Sequence, residues 1–135
     1  MLAAKTLELP LRAQDDVVML RHAARKLSIE IGLNLVDQTK FVTAASELAR
    51  NTVVHGGGGR ATLEKLEEPS RKGIRITFED QGPGIRDLAQ AMTDGFTSGG
   101  GLGLGLGGAK RLSSEFSIDS TVGVGTRVTI VRWSR

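Results

Sequence analysis

The segment ELARN, residues 47–51, is followed along the chain by DQGPG, residues 80–84, and then by GLGLGLGG, residues 101–108. The first segment lies on a predicted helix, the second ends a predicted strand, and the third opens another helical segment. Few globular folds require polar residues and glycines in this order. We therefore interpret the three segments as parts of one site, and as the feature that decides the fold.

The N-terminal part of the chain predicts a strand followed by a helix. Leu7 and Leu9 indicate a short opening strand that Pro10 closes. Apolar residues then recur at helical spacing over residues 17–31. This spacing predicts an amphipathic helix that ends near Gly32.

A second predicted helix carries the ELARN segment. It begins at about Asp37, a residue type suited to the N-cap, and ends at the four glycines of residues 56–59. Glu47 and Asn51 are four residues apart on this helix. Side chains at that spacing lie one turn apart on the same face, so both can point into one site.

The remaining pattern predicts four strands and two short helices. In chain order, the first are two strands within residues 60–80, around a turn at 69–73, and a helix at 86–92. A helix through Lys110 and Leu112 follows, and then strands at 116–119 and 127–133 that are joined by a turn at 122–125. This order predicts an α+β fold, a two-layer sandwich with helices on one face of a mixed β-sheet. The length favours a single domain over residues 1–135.

Composition excludes several classes of protein. The chain contains no cysteine, so it can form neither a disulfide framework nor a thiolate metal site. A net charge of +3 with scattered basic residues and only 4% aromatic residues argues against nucleic-acid binding. The N-terminus lacks a signal-peptide pattern and no apolar run is long enough to span a membrane, so we expect a cytoplasmic protein.

Asp80 is a candidate for recognition of adenine. It follows an alternating strand and precedes Gly82 and Gly84, so its carboxylate is expected at the strand's end, beside backbone that can approach a ligand closely. A carboxylate there can accept a hydrogen bond from the exocyclic amine of adenine. The alternative is an ordinary turn, since Asp, Gly and Pro are all turn formers.

The glycine-rich segment, residues 101–108, is a candidate phosphate site. Its backbone N–H groups can face an anion, and the following helix adds its positive N-terminal end. A flexible linker is the alternative, but regular alternation of leucine with glycine is atypical of linkers. The dinucleotide fingerprint lacks its preceding strand, a P-loop lacks its Gly-Lys-Ser/Thr, and the protein-kinase signatures are absent.

Glu47 and Asn51 are candidates for the chemistry at the phosphates. The amide oxygen of Asn51 can bind Mg²⁺, which needs few protein ligands when phosphate oxygens are present. Glu47, one turn earlier, can accept the proton of an attacking hydroxyl or water, or orient it. On their own the two residues are ordinary for a solvated helix, and only their order with the other segments favours a site.

Together these segments resemble the helix box and the two glycine boxes of the GHKL superfamily, the ATP-binding fold of gyrase, Hsp90 and histidine kinases. The resemblance covers residues 5–133, and GVGT at residues 123–126 matches the family's closing motif. It implies Glu47 as the base, Asn51 as the Mg²⁺ ligand, Asp80 and Thr126 at the adenine of ATP, and phosphate-facing backbone at Gly82, Gly84, Gly101, Gly103, Gly105 and Gly107.

The chain departs from the related anti-sigma kinases between the two glycine boxes. Those kinases usually have a longer lid with an arginine that can reach the γ-phosphate, whereas residues 92–100 contain no basic residue. Arg50, Lys110 and Arg111 are therefore the candidates for that contact.

Within the superfamily the chain is most similar to the small bacterial switch kinases. The similarity is carried by the small size without a histidine-containing dimerisation domain, by residues 37–52, and by the glycines at 56–59. It implies an ATP- and Mg²⁺-dependent protein serine/threonine kinase of a stress-response partner-switching pathway. Its substrate would be an STAS-domain scaffold or antagonist, and after release it would activate a PP2C-type phosphatase.

Two other functions remain open at this point. One is an anti-sigma factor kinase that sequesters a sigma factor. The other is a nucleotide-gated activator that docks on a phosphatase through a surface such as the first helix. A histidine-kinase fragment is disfavoured because the chain offers no phosphoacceptor helix, and His22 and His55 fit a helix surface and a loop.

Overall fold

The computed structural model describes residues 2–92 and 105–134. Its elements in chain order are β1 (Leu2–Leu11), α1 (Gln14–Glu30), α2 (Leu35–Val54), β2 (Gly59–Glu67), β3 (Lys72–Asp80), α3 (Leu88–Ala91), α4 (Leu106–Arg111), β4 (Glu115–Thr121) and β5 (Gly125–Ser134). The strands form one five-stranded sheet, and α1 and α2 pack on one of its faces. The predicted α+β two-layer fold is confirmed.

The sheet differs from the prediction in its strand directions. Its order is β1-β2-β3-β5-β4, and all four pairings are antiparallel, so the expectation of a mixed sheet is wrong. The reason is the position of the last strand. β3 and β4 run in the same direction, but β5 lies between them and pairs antiparallel with both.

The core lies between the helical layer and the inner face of the sheet. Leu63, Ile76 and Ile130 are direct neighbours across three adjacent strands, and all three are almost fully buried. Leu20 of α1 and Leu48 of α2 belong to the same buried cluster. Each such side chain contributes roughly 1.5–3 kcal/mol by leaving water, so this packing holds α2 against the sheet.

Two predicted boundaries are corrected. α2 begins at Leu35, and its N-cap is Asn34, whose Oδ1 accepts a hydrogen bond from the N–H of Asp37 at 2.8 Å. Asp37 is therefore a first-turn residue, and it forms an ion pair with Arg132 at 2.8 Å. Pro10 lies within β1 instead of closing it, which is tolerated because β1 is an edge strand.

Among residues 2–92 and 105–134, no helix covers the opposite face of the sheet, which carries charged pairs. Glu64 of β2 and Arg75 of β3 are register partners, and Arg75 donates two hydrogen bonds to the carboxylate, at 2.8 and 3.0 Å. These bonds hold the pKa of Glu64 below its usual value and raise the pKa of Arg75. Within the described ranges, no helix has the length and hydropathy needed to cross a bilayer.

We predict that Glu64→Gln lowers the free energy of unfolding at pH 7 by about 0.5–1 kcal/mol, a modest figure because solvent screens the pair. Because folding lowers the pKa of Glu64, its stabilising effect is complete above the unfolded pKa of about 4.3 and is lost as the pH falls through the folded pKa. Urea unfolding at pH 7 and at about pH 3 measures the loss of unfolding free energy at each pH. Glu67→Gln, at an exposed position on the same strand, is the control. A deficit of the same size at both pH values would contradict the prediction.

Candidate functional site

A pocket opens at the end of the sheet where β3 ends, β5 begins and the C-terminal half of α2 lies above them. It is partly open to solvent, and the space within it, counting that open part, is about 340 Å³. Its lining residues are Leu48, Asn51, Thr52, His55, Phe78, Asp80, Ile85, Leu106, Thr126 and Val128. All three sequence segments therefore contribute to one pocket.

The floor of the pocket comes from the pairing of β3 with β5. Phe78 lies opposite Val128, and Asp80 lies opposite Thr126. Phe78 and Val128 are almost fully buried, so they offer an apolar surface. A carboxylate and a hydroxyl lie at one end of this apolar surface, which suits a flat, apolar ring with polar groups on its edge.

Close backbone packing fixes the position of Asp80. Its Oδ1 accepts a hydrogen bond from the N–H of Gly82 at 2.9 Å. Gly56, just beyond the end of α2, lies directly against the same carboxyl group, and a Cβ at Gly82 would come within 2.6 Å of the carbonyl oxygen of Gly56. The end of α2 and the DQGPG loop can approach this closely only because both residues are glycine.

Thr126 is held by a second hydroxyl. It is 9% exposed, and its Oγ1 lies 2.9 Å from the Oγ of Ser120. Ser120 in turn accepts a hydrogen bond from the N–H of Ile85 at 2.8 Å. The sequence analysis missed Ser120, although its place across the β4–β5 turn from Thr126 could have identified it.

Glu47 and Asn51 lie on the same side of α2, as the spacing predicts. Asn51 lines the pocket, and Glu47 is half-buried beside the third segment. A Cβ added to Gly105 would come within 3.1 Å of Glu47 Oε2 and 3.3 Å of Glu47 Cβ. Gly105, the first described residue of the glycine-rich segment, thus lies against Glu47.

The remaining predicted site residues do not all lie at the pocket. Gly84 follows β3 in the left-handed region, with a φ of +77°, and Gly107 is buried in α4. Gly101 and Gly103 lie outside the described residues. Arg50 and Lys110 are exposed, and neither belongs to the set that lines the pocket.

His55 was expected in a loop, but it lies at the end of helix α2. It is the C-cap of α2, one turn after Asn51, and it lines the pocket. Its Nε2 is buried and has no hydrogen-bond partner within the described part of the chain. The four-residue spacing of Glu47, Asn51 and His55 could have indicated this, and a ligand or water would satisfy the nitrogen.

We predict that Gly105→Ala destabilises the protein by about 1–2 kcal/mol, because a φ of +64° is unfavourable for a residue with a Cβ and because that Cβ would press on Glu47. Gly108→Ala, in the helix that Gly105 caps, is the matched control. Nothing lies within 4 Å of its added Cβ, so we expect it to be neutral or stabilising by up to about 1 kcal/mol. Urea unfolding of the two variants tests this, and equal effects would contradict it.

Comparison with known sequences gives a family and two informative relatives. The model for the "Histidine kinase-, DNA gyrase B-, and HSP90-like ATPase" family matches residues 36–134. The chain is 45% identical over 120 residues to the serine/threonine-protein kinase RsbT of Bacillus subtilis (strain 168), covering 89% of this chain and 90% of that protein. It is 38% identical over 95 residues to the anti-sigma F factor of Clostridium novyi (strain NT), covering 67% of this chain and 66% of that protein.

Two solved structures share the fold. The SiaB–SiaC complex from Pseudomonas aeruginosa contributes a chain that matches with a TM-score of 0.54 and 14% identity, covering 98% of this chain and 91% of that chain. The catalytic domain of histidine kinase ThkA matches with a TM-score of 0.53 and 12% identity, covering 95% of both chains. The sequence match includes the helix segment, both glycine segments and the strand pair beneath the pocket, and the chain belongs to the histidine kinase-, DNA gyrase B- and HSP90-like ATPase family, the GHKL superfamily.

Proposed function

We propose that this protein is a Mg²⁺- and ATP-dependent serine/threonine protein kinase of a bacterial partner-switching pathway. The observation that carries the proposal is the arrangement along α2, where Asn51 lines the pocket near Asp80 and Glu47 lies one turn away beside Gly105. A nucleotide with its base at Asp80 and its γ-phosphate near Glu47 would require this order. The identity with RsbT supports kinase activity in particular.

The base of ATP would occupy the pocket. Phe78 and Val128 provide apolar contact to the ring, and Asp80 accepts a hydrogen bond from the exocyclic amine of adenine. Thr126, opposite Asp80 in the register, is the second polar contact. Guanine would place a carbonyl oxygen where adenine has its amine, so the carboxylate discriminates against it.

The phosphates would extend from the pocket toward Gly105 and Gly107. Within residues 2–92 and 105–134, no cluster of three or more acidic or histidine side chains could hold a metal ion. Mg²⁺ would therefore depend on the amide oxygen of Asn51 together with phosphate oxygens and water, a ligand set that this ion commonly uses. Lys110 and Arg50 are our candidates for a cation near the γ-phosphate.

Glu47 would act on the acceptor hydroxyl. ATP supplies the phosphoryl group, and transfer requires that the acceptor oxygen lose its proton as it bonds to phosphorus. A carboxylate beside the phosphate-facing segment can accept this proton and orient the hydroxyl. The half-buried position of Glu47 keeps its side chain close to Gly105, which preserves the required geometry.

The proposed acceptor is a seryl or threonyl residue of an STAS-domain scaffold or antagonist. After phosphorylation the kinase would dissociate and activate a PP2C-type phosphatase. The second candidate is an anti-sigma factor kinase that sequesters a sigma factor, and the identity with the anti-sigma F factor favours it. In both cases the kinase binds a protein partner whose affinity depends on phosphorylation.

We predict that Glu47→Gln lowers phosphoryl transfer at least 100-fold while Mg·ATP affinity changes little, because the amide keeps the shape of the side chain but cannot accept the proton. Transfer from radiolabelled ATP to the host's STAS-domain proteins measures the first quantity, and calorimetry measures the second. Glu67→Gln, at an exposed position on β2, is the control. Unchanged transfer by the Glu47→Gln variant would show that another group accepts the proton.

We predict that Asp80→Asn weakens binding of ADP roughly 10- to 100-fold, the loss expected when a charged hydrogen bond is removed. Asparagine can still accept the hydrogen bond from Gly82, so the loop should keep its conformation. Asp119→Asn, at an exposed position on β4, is the matched control. An ADP affinity equal to that of the wild type would argue against the proposed base site.

Capture of partners from the host lysate in Mg·ATP, followed by mass spectrometry, separates the two candidate functions. A newly phosphorylated serine or threonine on an STAS-domain protein would support the switch kinase. A sigma factor retained in a stable complex would support the anti-sigma kinase. Glu47→Gln in parallel identifies the phosphosites that depend on this protein.

A further inference from the structure

Three polar residues form one row across the sheet at the pocket. Asp80 of β3 is the register partner of Thr126 of β5, and Thr126 is also the register partner of Ser120 of β4. Asp80 and Thr126 line the pocket, whereas Ser120 does not. Ser120 is therefore separated from the pocket by one strand, with its side chain half-buried.

The hydroxyl of Ser120 joins three parts of the site. It accepts a hydrogen bond from the N–H of Ile85 at 2.8 Å, lies 2.9 Å from Thr126 Oγ1, and lies 3.4 Å from the carbonyl oxygen of Gly125. Ile85 belongs to the segment after the DQGPG loop and itself lines the pocket. One hydroxyl therefore links that segment, the β4–β5 hairpin and the residue opposite Asp80.

The hydrogen bond that the Ser120 proton makes determines whether Thr126 can donate its own proton to a ligand. A hydroxyl has one proton to donate and two lone pairs. With one lone pair of Ser120 used by Ile85, its own proton goes either to Thr126 at 2.9 Å or to Gly125 at the longer 3.4 Å. The 2.9 Å contact is a hydrogen bond in either case, donated by Ser120 or by Thr126. When Ser120 donates it, the proton of Thr126 is available to a ring nitrogen of the base.

We propose that Ser120 is a positioning residue of the nucleotide site, acting through Thr126 and Ile85 without touching the nucleotide. It orients the hydroxyl of Thr126 toward the base and holds Ile85 at the pocket wall. This inference rests on the proposed function in one respect, since it requires that Thr126 contact the bound base. It makes the β4 edge strand, which contributes no lining residue, part of nucleotide recognition.

A double-mutant cycle on ADP affinity tests this proposal, with Ser120→Ala, Thr126→Val and the double variant. We expect Ser120→Ala to weaken binding roughly 3- to 10-fold, as for loss of one neutral hydrogen bond. In the Thr126→Val background, Ser120→Ala should have a clearly smaller effect, because the hydroxyl that it orients is gone. Ser120→Thr, which keeps the hydroxyl, should restore most of the affinity.

Ser117→Ala is the matched control, because Ser117 lies on the same strand but is exposed. Urea unfolding of every variant shows that affinity is measured on folded protein. A purely structural role would lower stability without changing affinity, or would give effects of Ser120→Ala that are equal in both backgrounds. Either result would overturn the proposal.

The same cycle distinguishes failure of the inference from failure of the proposed site. If Thr126→Val weakens binding and Ser120→Ala does not, the role of Ser120 is wrong and the base site stands. If Thr126→Val has no effect, Thr126 does not contact the base, and the role of Ser120 fails with it. Asp80→Asn then decides whether the pocket binds the base at all.

Discussion

The antiparallel pairing of β5 with β3 is the contact on which the pocket depends. It places Thr126 opposite Asp80 and Val128 opposite Phe78, so the polar end and the apolar floor of the pocket come from the same register. The pair Ile76 and Ile130, further along, is almost fully buried and fixes that register. A slip by one residue would turn every one of these side chains to the other face of the sheet.

Glycines determine how closely the helices approach this pair of strands. Gly56 lets the end of α2 lie against the carboxyl group of Asp80, and Gly105 lets the start of α4 lie against Glu47. The two ends of the site are therefore positioned by backbone contacts instead of by long, flexible side chains. Groups held in place before a ligand binds lose little entropy when it does, which is an advantage in binding and in catalysis.

Much of this architecture can be read from the sequence because it depends on local patterns. Alternation and helical spacing predicted each element, and the three segments predicted which residues would meet. Strand order could not be predicted this way, because periodicity identifies strands but not their neighbours, and the position of β5 is decided by packing of the whole sheet. Asn34 and Asp37 are both good N-caps, so propensity alone could not choose between them.

Ser120 and His55 were not identified from the sequence. Ser120 accepts a hydrogen bond from Ile85, which lies far away along the chain, and no local motif reports such a bond. His55 precedes a run of glycines, so its local pattern indicates a loop, whereas in the structure it is the C-cap of α2. Sequence patterns thus identified Asn51, Asp80 and Thr126, which line the pocket, but not the hydroxyl of Ser120 that holds Thr126.

The position of β5 in the sheet also determines the order in which the parts of the domain can fold. The chain leaves the ribosome from its N-terminus, so helices α1 and α2 and the first three strands are available while residues 125–134 are still being added. During that interval β3 has an open edge, and Asp80 has no strand beside it. A ligand of the pocket would not stabilise such an intermediate, since the pocket's floor is incomplete, and its binding energy would favour only the finished domain. The newborn chain must therefore pair its last strand before a bound ligand can stabilise it.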